Sequence, residues 1–88
     1  MTFVEFAVET LIREANEQGH KPKMLEAFRS ESDEQLFRRV MFVMGGLEIA
    51  FMRSEGHCSF SNERDISAKA IVAALKEKLA PEIATMPA

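Results

Sequence analysis

The chain has 88 residues, 47% hydrophobic and 28% charged, with 11 Lys and Arg against 14 Asp and Glu for a formal net charge of −3. This length supports one hydrophobic core and not two, and the balance is that of a folded domain rather than a disordered segment. The acidic excess removes any global attraction to nucleic acid or anionic lipid, and the single cysteine, Cys58, excludes an intrachain disulfide scaffold.

A lone thiol fits a reducing compartment. The first residues carry Glu5 and Glu9 and lack a basic segment ahead of an apolar one, so no signal peptide is expected and the expected location is cytoplasmic. The longest apolar stretch, residues 40–52, is interrupted by Gly45, Gly46 and Glu48 and is too short for a bilayer-spanning helix, so no membrane partner is expected.

Thr2 followed by Glu5 has the spacing of a capping box, which predicts a helix from there. Val4, Ala7, Val8, Leu11, Ile12 and Ala15 recur near the 3.6-residue period, and Gly19 is the expected stop. Pro22 suits the first turn of a short second helix carrying Met24, Leu25 and Phe28. Residues 30–33 supply N-cap candidates, and Asp33 and Glu34 suit the positive end of a third helix running to about Arg53. The middle of that helix is apolar nearly all round, and Gly45-Gly46 each cost roughly 1 kcal/mol relative to Ala, which predicts a kink, a break or the close approach of another backbone. A loop over residues 56–60 leads to Ser61 or Asn62 as cap of a last helix with Ile66, Ala70, Val72, Ala73, Leu75 and Leu79 as its apolar stripe. Pro81 is expected to end it. The predicted fold is a small all-α bundle of about four helices, a single domain over residues 1–80 with a loose tail over 81–88.

No pattern specifies chemistry. His57-Cys58 places an imidazole next to a thiol, but sequence neighbours rarely face each other and no oxyanion or phosphate-binding motif accompanies them. One Cys with His20 and His57 lacks the spacing of a zinc site, and the acids of the first helix describe a solvated face. No catalytic residue, metal or cofactor is therefore expected. Glu48 is the informative acid, since it interrupts an apolar run. It either lies on an exposed stripe or forms a buried pair with Arg38, Arg39 or Arg53.

Residues 20–39 have the order of a helix-turn-helix, with Lys21, Lys23, Arg38 and Arg39 as candidate nucleic-acid contacts. Asp33 and Glu34 would however stand at the recognition end and repel phosphate, which leaves a degenerate DNA-binding regulator as the second reading. A small ligand-binding bundle using His57, Cys58 and Glu48 is the third. The first is a non-enzymatic interaction module, a regulator, inhibitor or assembly factor. Seven Phe and six Met make a core that can also serve as an adaptable contact surface: either Phe42, Met44, Ile49 and Met52, on sides of helix three away from Leu36, Val40, Leu47 and Phe51, exceed what one subunit buries, or the other helices surround helix three and use all of it as core. The expected interface is Phe42, Gly45, Gly46, Glu48, Ile49, Met52 and Arg53, and the expected partners are a second copy and another protein.

Overall fold

The computed structural model describes residues 1–55 and 63–87. Over these the chain forms four helices and no strand: α1 (Phe3–Glu17), α2 (Lys21–Ser30), α3 (Asp33–Glu55) and α4 (Arg64–Ala84). The all-α bundle expected from periodicity is the fold.

Local chemistry sets the ends of the first three helices. The Thr2 hydroxyl accepts the Glu5 amide at 3.1 Å and the Glu5 carboxylate accepts the Thr2 amide at 3.2 Å, closing the capping box. At the far end of α1, Gly19 adopts φ 73°, the left-handed conformation that glycine reaches without a Cβ clash. Its amide donates to the Asn16 carbonyl and that of His20 to the Ala15 carbonyl, which completes a Schellman stop. Pro22 occupies the first turn of α2, where its missing amide costs nothing. Ser32 caps α3 by accepting the Gln35 amide at 3.2 Å, while the Gln35 side chain accepts the Ser32 amide at 2.9 Å.

The core lies where α1, α3 and α4 meet. Ala7 and Val8 of α1 pack with Leu36, Val40, Met44, Leu47 and Phe51 of α3 and with Ala68, Ile71, Val72 and Leu75 of α4. Phe51 closes one end, with the rings of Phe3 and Phe6 at centroid distances of 5.4 and 5.2 Å, tilted as the aromatic quadrupole favours. The α4 helix packs on all three others, whereas α2 rests on α1 and α4 and barely touches α3.

The α3 helix continues through Gly45 and Gly46 without a break, as one helix from Asp33 to Glu55. Several expectations are corrected. Met44 is fully buried in the core, not surplus: it sits one turn from Val40 and Leu47, on the stripe they define. On α4 the buried set is Ala68, Ile71, Val72, Leu75 and Leu79, while Ile66, Ala70 and Ala73 are exposed. The helix is rich in alanine on every side, so composition there does not pick the inward face. Pro81 does not end α4, which continues to Ala84. Its ring removes only the bond to the Glu77 carbonyl, and contacts with α2 hold the last turn: Lys21 pairs with Glu82 at 3.1 Å, and Arg29 donates to the Pro87 carbonyl at 2.8 Å. The expected caps Ser61 and Asn62 lie outside the described residues, and Glu63 is the N-cap residue.

Among the described residues, the buried Thr10 hydroxyl oxygen has no hydrogen-bond partner. Thr10→Val keeps the shape and removes the desolvated hydroxyl, so it should raise stability by about 1 kcal/mol in thermal unfolding followed by far-UV circular dichroism.

Candidate functional site: the outer face of α3

With its 23 residues α3 is the longest helix, and only one side of it is covered. On the other side Phe42 is 92% exposed, Ile49 50%, Met52 45% and Val43 40%. Phe42, Gly45, Gly46, Ile49 and Met52 are spaced at three, four and seven residues, so they form one stripe along the helix. Single exposed apolar residues are ordinary on protein surfaces; a contiguous stripe that begins at a nearly fully exposed phenyl ring is not.

The glycine pair lies in the middle of this stripe. A Cβ built on either glycine meets nothing within 4 Å. Among the described residues, packing inside the protomer does not require glycine at these positions, and no other backbone approaches them. Their helix cost of roughly 1 kcal/mol each has no compensation among those residues.

Glu48 points away from the stripe. It is 9% exposed and forms a two-pronged pair with Arg64, whose guanidinium donates to both carboxylate oxygens at 2.5 and 3.1 Å. None of the three arginines expected as its partner reaches it. Arg38 and Arg39 are more than two turns away along the same helix, and Arg53, five residues on, points to a different side. No sequence signal singles out the missed partner: Arg64 lies 16 residues on, at the first position of α4, and only the packing of α4 on α3 brings it to Glu48. Arg53 does share the outer face and makes no ion pair among the described residues.

Three of the four candidate nucleic-acid contacts are held by carboxylates. Arg38 pairs with Glu34 at 2.7 Å, Lys21 with Glu82 at 3.1 Å, and Arg39 with Glu31 through two bonds of 2.6 Å. Hydrogen bonding from Arg39 keeps the Glu31 carboxyl below its ordinary pKa; desolvation opposes this and the Arg39 charge reinforces it. Lys23 makes no ion pair among the described residues and lines a groove between α1, α2 and α3. His57 and Cys58 lie outside the described residues. Among the described residues no three His, Cys, Asp or Glu converge to hold a metal, and no helix is long and apolar enough to cross a membrane.

Comparison with family models, with curated proteins and with solved structures finds no match.

Two expectations come from this geometry. Arg64→Ala strands a mostly buried carboxylate and should lower stability by about 1–3 kcal/mol, with Glu48→Gln costing less because it removes the charge as well as the pairing; thermal melts of both variants check this. Gly45→Ala and Gly46→Ala should each stabilise the isolated protomer by up to about 1 kcal/mol, measured by chemical denaturation at high dilution.

Proposed function

We propose that this chain is a non-enzymatic helical interaction module, a regulator, inhibitor or assembly factor, that pairs with a second copy of itself through the outer face of α3. The observation that carries the reading is the 92% exposure of Phe42 at the N-terminal end of an apolar stripe on an otherwise ordinary charged surface.

The stripe is suited to meeting itself. Phe42 lies three residues before Gly45, and Ile49 lies three residues after Gly46. In an antiparallel pairing about the glycines, Phe42 of each protomer approaches Ile49 of the other, and the absence of side chains at the axis lets the backbones come close. Burying two Phe and two Ile contributes on the order of 6–12 kcal/mol at roughly 1.5–3 kcal/mol each. Association itself costs roughly 4–15 kcal/mol, so the net gain is about 8 kcal/mol at most and the pairing is micromolar at its tightest. The nucleic-acid reading receives less support, since Lys21, Arg38 and Arg39 would have to leave Glu82, Glu34 and Glu31 before meeting phosphate.

Light scattering from micromolar to millimolar protein tests the reading. The apparent mass should rise from the 9.9 kDa of one protomer toward twice that value. Phe42→Glu should hold the chain at the protomer mass without loss of helicity, because the side chain touches little within its own protomer. Gly46→Ala, stabilising when dilute, should weaken association. A wild-type mass that stays at one protomer throughout would sink the self-pairing.

A further inference from the structure

Two phenyl rings of α3 differ in what covers them. Phe37 lies under the Lys69 ammonium of α4, 5.7 Å from the ring centroid, close enough for the cation to meet the negative face of the ring. Phe42 is 92% exposed, and among the described residues no cation stands over it. Arg38 and Arg39 border it, but their guanidiniums are drawn back toward the start of α3 by Glu34 and Glu31. Arg53 is exposed on the same face and makes no ion pair among the described residues. It cannot reach Phe42 of its own protomer, since the two stand roughly 16 Å apart along the helix at 1.5 Å per residue.

The outer face of α3 is nearly palindromic about its glycine pair. Arg38 lies seven residues before Gly45 and Arg53 seven residues after Gly46, outside Phe42 and Ile49, which stand three residues from the pair. At 3.6 residues per turn these four positions fall within an arc of about 60°. In an antiparallel pairing about the glycines, Arg53 of one copy therefore comes level with the partner's Arg38. Helical side chains lean toward the N-terminus of their own helix. Antiparallel helices lean in opposite senses, so Arg53 leans from that level toward the partner's Phe42, and the ring leans toward Arg53. The partner's Arg38 leans the other way, to Glu34, with which it pairs at 2.7 Å. The two arginines thus diverge, and the Arg38 charge is already balanced where Arg53 arrives.

We propose that Arg53 of each protomer lies over the Phe42 ring of its partner, so that a cation–π contact closes both ends of the α3 pair and fixes its antiparallel direction. This rests on the self-pairing of α3 and adds to it the residue that sets direction and register. A parallel pair would set Arg53 against Arg53 and Phe42 against Phe42, with like charges facing and both rings without a cation. The antiparallel pair gives each ring the partner's Ile49 on one side and the partner's Arg53 at the outer edge. There the guanidinium keeps its contact with water and, being weakly hydrated, gives up little by stacking.

Two measurements test the contact. In light scattering over the concentration series, Arg53→Gln should associate about five- to thirty-fold more weakly than wild type, the effect of losing two exposed cation–π contacts per dimer. Lys78→Gln removes the same charge from an exposed position on α4 and should stay within about twofold of wild type, which separates a local contact from net charge. Both side chains are exposed, so helicity by circular dichroism should not change. In the wild type, the Arg53 side-chain NMR signals should move upfield as concentration drives pairing, because a group over the face of a ring is shielded by its ring current. Arg53→Gln associating as tightly as wild type, Lys78→Gln weakening as much as Arg53→Gln, or a wild-type mass that doubles without the upfield shift overturns the contact and leaves self-pairing through the outer stripe intact. Tighter association of Arg53→Gln also overturns it and assigns the parallel arrangement. A wild type that stays at one protomer removes both.

Discussion

The α4 helix is where the other three converge, and the rest of the structure follows from how they divide its surface. Ala68, Ile71, Val72, Leu75 and Leu79 are buried along it, each spaced three or four residues from the next inward position. A helix offers neighbours only a limited arc. The α1 and α3 helices take the larger share and enclose the core, and α2 takes the remainder near the C-terminal half. At ten residues with none fully buried, α2 is too short and too polar to cover the far side of α3 as well.

Two features of α3 stem from this division. Toward α4 it presents an almost continuous apolar line, Leu36, Val40, Met44, Leu47 and Phe51, with Glu48 at the edge neutralised by Arg64. The pair is partly wet on the Arg64 side, which lessens the desolvation cost of holding Glu48 at the edge of the core. Away from α4 the same helix carries apolar residues that no element of the protomer covers. Glycine in the middle of that uncovered side lowers helix stability without a packing reason among the described residues, and this is the physical ground for seeking the reason in a second molecule.

The end of α4 shows how tertiary contacts override local preference. A proline three residues from a helix terminus costs less than one in mid-helix, since fewer bonds follow it. Here the Lys21–Glu82 pair and the Arg29 bond to the Pro87 carbonyl anchor the last turn against α2. Polar contacts of this kind are individually weak, but together they suffice for a turn whose intrinsic preference is nearly balanced.

The sequence by itself determined the helix count and the local signals at the ends of α1 and α2, because these depend on interactions within four residues: Thr2 with Glu5, Gly19 beyond the last turn, Pro22 in the first turn. It also set Phe42, Ile49 and Met52 opposite the Leu36–Phe51 line by helical spacing alone. Only the tertiary structure decided which apolar residues are inward where a helix is apolar on several sides. That is why Met44 moved into the core and why Ile66, Ala70 and Ala73 of α4 turned outward: periodicity fixes a face relative to its own helix, and only the neighbour selects it. The partner of Glu48 was decided in the same way, because Arg64 meets it across two helices, a contact between residues too far apart in sequence for any local rule to specify. The groove beside Phe42 is likewise a property of packing, created by where a short α2 comes to rest.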